Sequence, residues 1–266
     1  MKNIDKFLSH VLIVDTECTH AQPDLAEIVE LGVAIYVQPD NVWQKVDQLY
    51  SCEHGMPPAA SAVTGISNRM IQNHTRFGTD ITQTLHMLDV TKPTWVAHNV
   101  KYDSVVIHRA LTAHVPELAQ VIQDQVQWLC TLRLARHTWP HAESFAQNYL
   151  RYWLDLDVPD HVGVHRAGAD VITCGSLLKA ICVELKAQGR LDTSQDLLPQ
   201  LITLCESPIP VTVWNMGKHK GKLITDVDTD YLLWCVDNLK PLHPQDPEFD
   251  LDLYESVRQE LERRLH

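Results

Sequence analysis

The sequence predicts an α/β protein: a mixed sheet of three antiparallel strands followed by parallel strands, flanked by helices and followed by a small C-terminal extension. Two patterns indicate this class. Three strand-like segments open the chain, and short apolar segments later alternate with segments of helical periodicity. With 266 residues, of which 45% are hydrophobic and 21% charged, the chain can form a large α/β domain and an appendage, and its composition excludes disordered and fibrous classes.

The opening strands are predicted from apolar, β-branched runs. Val11–Cys18 begins as such a run and ends in polar residues, which indicates a buried strand with a polar end. Glu27–Val37 and Val42–Cys52 are separated by a Gln-Pro-Asp-Asn turn signal. We therefore expect these two segments to form an antiparallel hairpin.

Strands and helices then alternate along the chain. Short strands are expected at residues 94–97 and 127–130, and partly helical segments at 58–73, 78–90, 132–136 and 143–153. The apolar face of Asp103–Ala113 predicts an amphipathic helix. A loop with Pro159 and Gly163 precedes the longest predicted helix, whose apolar residues step by three or four from Val171 to Leu185, with Gly189 as its C-terminal cap.

The periodicity weakens between Arg190 and Pro210, which indicates a linker or a docked segment. We expect a main domain over residues 8–189, this connecting segment over 190–210, and a small module over 211–266. The module contains a lysine-rich loop, a helix-like segment Tyr231–Asn238 and a charged helix near Leu253–Leu265. DNA binding is a candidate role for the module.

Charge and apolar content limit the partners of the protein. No apolar run approaches the length of about 18 residues that a membrane span needs, and the first ten residues do not resemble a signal peptide. We therefore expect a cytoplasmic protein without a membrane partner. The net charge of −12 disfavours nonspecific binding of nucleic acid over the whole surface, so such contacts must be local. The seven cysteines contain no CxxC pair, which favours reduced thiols.

Two carboxylates follow each other at the end of the first predicted strand. Asp15 and Glu17 occupy positions i and i+2, so on a strand their side chains point to the same face. Two adjacent anions are unfavourable unless a cation compensates them, and Mg²⁺ prefers carboxylate oxygens. Taken alone, this pair is also consistent with an ordinary polar strand end.

Two further elements place polar side chains at the starts of predicted helices. Asp103 begins a middle helix, and His165 and Asp170 lie where the long late helix begins. Each carboxylate has an ordinary alternative, since an acidic residue in the first turn of a helix can cap it or complement its dipole. His165 alone is equally consistent with a surface residue.

Taken together, the three elements resemble the DEDDh exonucleases, a family of ribonuclease-H-like fold, over about residues 11–178. Two smaller motifs agree with the resemblance: Val63–Ser67, similar to the Gly-Ile loop of that family, and Cys130–Arg136, similar to its Thr-x-x-Leu-Ala-Arg segment. Residues 208–238 resemble the C-terminal region of the exodeoxyribonuclease X group within the family.

The resemblance implies a hydrolase that removes nucleotides from the 3′ end of DNA as 5′-monophosphates. Its catalytic residues would be Asp15, Glu17, Asp103, His165 and Asp170. The four carboxylates would hold two divalent cations, Mg²⁺ with Mn²⁺ able to substitute, and His165 would act as the general base.

The expected substrate is DNA with a single-stranded 3′ end, because a terminal nucleotide must be unpaired to enter a closed site. The candidate nucleic-acid-binding residues are Thr16, Cys18, Gly65, Ile66, Asn99, Tyr102, Lys218, Lys220 and Lys222. The three lysines lie in a stretch without acidic residues, from Val211 to Lys222, which favours contact with a phosphate backbone. A solvated lysine loop is the alternative.

Three other functions remain consistent with the sequence. The protein could trim RNA instead of DNA, since the two differ at the 2′-hydroxyl. It could be a catalytically silent nucleic-acid-binding scaffold, although the complete set of five side chains argues against silence. It could also be an unrelated metal-dependent phosphatase. The sequence leaves the oligomeric state open.

Overall fold

The computed structural model describes residues 2–158, 165–246 and 248–265. Within these residues, five strands form one sheet in the order β3-β2-β1-β4-β5. The strands are β1 (Val11–Cys18), β2 (Ile28–Val37), β3 (Val42–Leu49), β4 (Thr94–Ala97) and β5 (Gln127–Cys130). β1, β2 and β3 are antiparallel, whereas β4 and β5 run parallel to β1. The predicted mixed sheet is therefore confirmed.

β1 lies at the centre of the sheet because its first four residues are apolar on both faces. Leu12 and Val14 belong to one buried cluster, and Val11 and Ile13 belong to another on the opposite face. All four side chains are fully buried. The strand thus separates two cores, and its polar end emerges where both cores stop.

Helices cover both faces of the sheet. In the described residues they are α1 (Lys2–Leu8), α2 (Pro58–Thr64), α3 (Asn68–Ile71), α4 (Ile81–Met87), α5 (Val100–His114), α6 (Pro116–Gln125), α7 (Thr131–Thr138), α8 (Gln147–Trp153), α9 (Ala167–Ala187), α10 (Leu197–Glu206), α11 (Thr229–Asn238) and α12 (Leu251–Leu265). α5 and α6 contribute to the core on one face, and α1, α7, α8, α9 and α10 contribute to the core on the other.

Some helices were not predicted from the sequence. α6 buries only a narrow stripe, Leu118, Ala119 and Ile122, within a polar segment. α10 contains Pro199, a residue that is tolerated in the first turn of a helix but that masks the pattern in the sequence. The predicted loop with Pro159 and Gly163 lies outside the described residues.

α9 ends as its sequence predicts. Gly189 has the left-handed φ of +69°. Its N–H donates to the Lys186 carbonyl at 3.0 Å, and the Arg190 N–H donates to the Leu185 carbonyl at 2.8 Å. These two bonds form a Schellman motif, which satisfies carbonyl groups that the last turn leaves without partners.

The other end of α9 rests directly on β2. A Cβ atom added to Gly32 would lie 2.4 Å from the backbone carbonyl of Ala167. Further along the helix, a Cβ atom on Gly175 would lie 2.4 Å from the Trp43 ring. Only glycine permits such close approach, and this contact fixes the start of α9 relative to the sheet.

Residues 206–266 form a second compact unit with its own core. The division at Cys205 and Glu206 falls inside the segment expected as a linker, and residues 190–205 belong to the first unit. Trp214, Leu232, Leu253 and Val257 are fully buried in the core of the second unit. The seven cysteines are unpaired. Among the described helices, none has the length and apolarity to cross a bilayer.

We expect Gly32→Ala to lower the free energy of unfolding by about 1–3 kcal/mol, the usual cost of overpacking, because β2 and α9 must separate. Urea unfolding measures this loss. Amide hydrogen exchange should accelerate at residues 167–170. In the control variant Gly189→Ala, which strains only the far end of α9, exchange should accelerate near residues 185–190 instead. Unchanged exchange at residues 167–170 in Gly32→Ala would contradict the prediction.

Candidate active site

Three carboxylates converge at the polar end of β1. Asp15 and Glu17 come from β1 itself, and Asp170 comes from the first turn of α9. One ligand atom from each of the three lies within 4.8 Å of the others, and each residue is partly exposed. The i, i+2 spacing on the strand and the close seat of α9 on β2 together produce this cluster.

A fourth carboxylate reaches the same strand end from the opposite face of the sheet. Asp103 lies in the first turn of α5 and is only 5% exposed. Its Oδ1 accepts hydrogen bonds from the Thr16 backbone N–H at 3.0 Å and from the Thr16 hydroxyl at 2.8 Å. The N-cap residue of α5 is Asn99, so Asp103 is not the helix cap that the sequence left as an alternative.

An ion pair between the buried Glu30 and the partly exposed Arg166 holds the start of α9. The Arg166 guanidinium donates to both oxygens of Glu30 from Nε at 3.0 and 3.1 Å, and from Nη2 at 2.6 Å. The Ala167 N–H also donates to Glu30, at 2.9 Å. Glu30, which is 1% exposed, pairs with Glu17 across the β1–β2 ladder. The pair therefore fixes the residues next to His165 beside the acidic cluster.

Gln147, the first residue of α8, contacts the cluster through Asp170. Its Nε2 donates to the Asp170 carbonyl at 2.9 Å and lies 3.3 Å from the Asp170 carboxylate. Both partners are acceptors, so this side-chain atom must be the amide nitrogen. The contact ties α8 to the first turn of α9.

Four of the five predicted catalytic side chains line one cleft of about 270 Å³. Its walls are Asp15, Thr16, His98, Asn99, Tyr102, Asp103, Ala146, Gln147, Asn148, His165 and Asp170. His165 is exposed and has the left-handed φ of +57°. The structure thus brings together the five predicted catalytic residues. Glu17 does not line the cleft, but it lies beside Asp15 and Asp170 in the acidic cluster.

The other predicted contact residues lie elsewhere. Cys18 and Ile66 are buried in core clusters, and Gly65 is the C-cap of α2. None of these three lines the cleft. The three lysines are exposed in the second unit.

The pKa values of the acidic cluster are raised by burial and mutual repulsion. Burial and the neighbouring carboxylates raise the pKa of Asp15 well above its usual value, and they raise that of Glu17 to about 8. Burial raises the pKa of Asp103 to about 7 against the opposing hydrogen bonds from Thr16. The pKa of Asp170 is raised by burial, while the charge of His165 and nearby hydrogen bonds act in the opposite direction.

This donor set suits a hard divalent cation. Carboxylate oxygens are the ligands that Mg²⁺ and Mn²⁺ prefer, and the atoms of Asp15, Glu17 and Asp170 are close enough to share one ion. A bound cation would also offset the repulsion that raises the pKa values. The side chains present therefore fit the cations that the sequence implies.

Sequence reasoning missed Glu30, Arg166 and Gln147. A signal for Glu30 was available, because a single carboxylate inside the apolar run Ile28–Val37 has to be paired when the strand is buried. Gln147 offered no such signal, since its position depends on how α8 packs against α9.

The acidic cluster should make the metal-free protein less stable as pH rises. In an unfolded chain carboxyls titrate near pH 4, whereas these remain protonated in the folded chain until higher pH. Between about pH 4 and pH 8 the unfolded state therefore binds fewer protons, so the cluster lowers the free energy of unfolding over this range. Glu17→Gln should then stabilise the chain in chelator at pH 8 by roughly 0.5–2 kcal/mol, and much less near pH 5.

Thermal unfolding at both pH values measures this difference, with Asp40→Asn, at an exposed position, as the control. Added Mg²⁺ should stabilise the wild-type chain more at pH 8 than at pH 5. Equal stabilisation by Glu17→Gln at both pH values would be inconsistent with the raised pKa.

Comparison with known proteins agrees with this geometry. The family model described as Exonuclease (RNase_T) matches residues 12–178, more than half of the chain. Exodeoxyribonuclease 10 of Escherichia coli strain K12 is 25% identical over 237 residues, which cover 88% of this chain and 93% of that protein. Because the first unit contains only the residues up to Cys205, this match includes part of the second unit. The 3′-5′ exonuclease DinG of Bacillus subtilis strain 168 is 23% identical over 66% of this chain and 18% of its own length.

Solved structures show the same fold. Exonuclease X in complex with 5′ overhanging duplex DNA has a TM-score of 0.51 at 23% identity, and covers 71% of this chain and 99% of its own. The cell-death related nuclease 4 (CRN-4) has a TM-score of 0.51 at 14% identity, and covers 67% of this chain and 64% of its own. The ribonuclease-H-like fold is therefore confirmed, and the chain belongs to the DEDDh 3′–5′ exonuclease family.

Proposed function

We propose that this protein is a DNA 3′–5′ exonuclease that depends on two divalent cations, Mg²⁺ or Mn²⁺, and releases nucleoside 5′-monophosphates. One observation carries the proposal: Asp15, Glu17 and Asp170 place ligand atoms within 4.8 Å of one another, and Asp15 and Asp170 line a cleft together with Asp103 and His165. Mutually repelling carboxylates held this close together favour a cation-binding site over a scaffold that binds no metal.

In the proposed reaction the carboxylates bind the cations and His165 transfers a proton. Asp15, Glu17 and Asp170 would hold one cation, Asp15 would also reach the second, and Asp103 would act near the second. Bound cations would activate water, neutralise the phosphate and stabilise the leaving 3′ oxygen. His165 would take a proton from the attacking water while the water oxygen forms a bond to phosphorus. The bond from phosphorus to the 3′ oxygen then breaks, and that oxygen takes a proton from solvent.

Positioning of these groups depends on the neighbouring side chains. Thr16 orients Asp103, Gln147 contacts Asp170, and the pair of Glu30 and Arg166 fixes the backbone next to His165. Asn99 and Tyr102 line the cleft and are the proposed contacts for the terminal nucleotide. Backbone groups at Gly65 and Ile66 remain candidate contacts, as does Cys18.

DNA is the proposed substrate because the name of one matched protein and the bound ligand of one matched structure point to it. Exodeoxyribonuclease 10 matches 88% of this chain, and Exonuclease X shares its fold in a complex with DNA. A single-stranded 3′ end is proposed because a terminal nucleotide must be unpaired to enter a closed site.

We expect His165→Ala and Asp15→Asn each to reduce hydrolysis of end-labelled single-stranded DNA by about 10²-fold or more, the usual contribution of a positioned proton acceptor or metal ligand. Both residues are at least partly exposed and outside the core, so circular dichroism should show a folded chain. His86→Ala and Asp40→Asn, at exposed positions outside the cleft, are the matched controls. A purified variant of the first pair with full turnover would remove the role given to that residue.

The same assay tests the substrate. DNA and RNA strands of equal sequence, labelled at the 5′ end, should both be tried with Mg²⁺, Mn²⁺ or chelator. Stepwise shortening of DNA from the 3′ end with metal only is the expected result. Faster shortening of RNA would replace DNA with RNA in the proposal, and activity on mononucleotides alone would replace the exonuclease with a phosphatase.

The lysine loop gives a separate prediction. Replacing Lys218, Lys220 and Lys222 with alanine should weaken binding of single-stranded DNA and flatten its dependence on salt, because each phosphate contact releases counterions. Fluorescence anisotropy over a salt series measures both effects. Lys240→Ala, which removes an exposed lysine that pairs with Glu248, is the control. An unchanged salt dependence in the triple variant would show that the three lysines do not contact phosphates and that the loop is only a solvated surface.

A further inference from the structure

The second unit exposes a stacked aromatic pair. Tyr231 and Trp234, one turn apart on α11, have ring centroids 5.9 Å apart and ring planes inclined by 24°. Trp234 is 50% exposed. Large aromatic side chains usually bury most of their area, so a parallel pair at the surface indicates a flat ring available to a ligand.

Tyr231 is held in place from several sides. The ring centroid of His219 lies 4.5 Å from that of Tyr231, and the ring centroid of the buried Trp214 lies 6.0 Å from it. The Lys218 ammonium lies 4.6 Å from the ring centroid. These contacts fix the tyrosine ring, which in turn supports the Trp234 ring packed against it and lowers the entropy cost of stacking a ligand on Trp234.

The lysine loop is built to approach this ring. Gly217 has a φ of +56°, and a Cβ atom there would lie 2.9 Å from the Tyr231 hydroxyl. The Trp214 N–H donates to the Lys222 carbonyl and the Gly221 N–H donates to the Trp214 carbonyl, both at 2.8 Å. Lys218, Lys220 and Lys222 are therefore carried by one hydrogen-bonded loop, and Lys218 lies next to the stacked pair.

We propose that the second unit contains a binding site for single-stranded nucleic acid, in which a base stacks on the exposed face of Trp234, supported from behind by Tyr231, while phosphates contact the lysine loop. The inference rests on the proposed function for its choice of ligand, and it concerns a site separate from the hydrolytic cleft. Cationic loops combined with exposed aromatic rings are the usual way in which proteins bind single strands without reading their sequence.

The charged side chains around the aromatic pair determine on which side of it the phosphate backbone of the nucleic acid lies. The cleft of about 590 Å³ beside the pair is lined by Lys218, Asp228, Asp230, Tyr231 and Trp234. The two aspartates repel phosphate, so the backbone must lie on the lysine side. Base edges can face the aspartates, since adenine, cytosine and guanine carry amino groups that donate to carboxylates.

Another copy of this chain fits the same surface less well. The net charge of −12 makes copies repel each other, and the aromatic pair is bordered by charged side chains instead of continuing into a broad apolar patch. Self-association through this surface would appear in the test as binding of labelled protein to unlabelled protein.

Binding should be measured in a chain that carries Asp15→Asn, so that the strand stays intact. The probe is a labelled single strand of roughly 20 nucleotides, longer than the site of one typical binding fold. Adding Trp234→Ala should weaken binding by roughly 5- to 100-fold, as expected for the loss of one stacked base. Trp234→Phe should restore most of it. Tyr152→Ala, which removes a 67% exposed aromatic ring from the first unit, is the matched control.

Two readouts separate stacking from a general structural effect. Trp234→Ala should displace the plot of affinity against salt without changing its slope, because stacking releases no counterions. It should also have little effect on a strand of the same length without bases. The proposal is overturned if Trp234→Ala binds as tightly as the Tyr152→Ala control, or if it weakens the strand without bases to the same extent.

Hydrolysis by the chain without these changes is a separate result. If that chain fails to shorten DNA while the Asp15→Asn chain still binds the strand through Trp234, the exonuclease proposal fails and the binding site stands. If DNA is shortened but binding is independent of Trp234 and of the bases, the exonuclease proposal stands and the proposed binding site fails.

Discussion

Electrostatic repulsion among four carboxylates at the end of one strand is the constraint on which the site depends. Burial raises the pKa values of Asp15, Glu17, Asp103 and Asp170, and the neighbouring carboxylates raise those of Asp15 and Glu17 further. Such a cluster opposes folding of the metal-free chain. The rest of the fold holds these carboxylates together from three elements, β1, α5 and α9, and a bound divalent cation would offset the repulsion.

The fold positions these elements through its two cores. Asp103 arrives on α5, which packs on one face of the sheet, and Asp170 arrives on α9, which packs on the other. Gly32 allows the backbone of α9 to touch β2, and Glu30 binds both the guanidinium of Arg166 and the first amide of α9. The guanidinium of Arg166 also acts on the charge of the cluster, since it lowers the pKa of Glu17 against the larger effects that raise it.

Much of this arrangement could be predicted from the sequence, for identifiable reasons. The strands were predictable because β-branched runs and a turn signal depend on local chemistry, and the five site residues because their types and order together resemble the motif of a known family. α6 and α10 could not be predicted, since their buried stripes are narrow or interrupted by Pro199. Gln147 and the pairing of Glu30 with Arg166 depend on contacts between distant segments, which periodicity does not encode.

The left-handed backbone of His165 has a consequence for how its chemistry can be isolated. A side chain with a branched or bulky Cβ is disfavoured at this φ of +57°, whereas asparagine adopts it readily. An exchange to asparagine therefore preserves the local path of the chain while deleting the imidazole. An exchange to valine would disturb both at once, so the two replacements distinguish the contribution of the ring from that of the bend in the backbone that carries it.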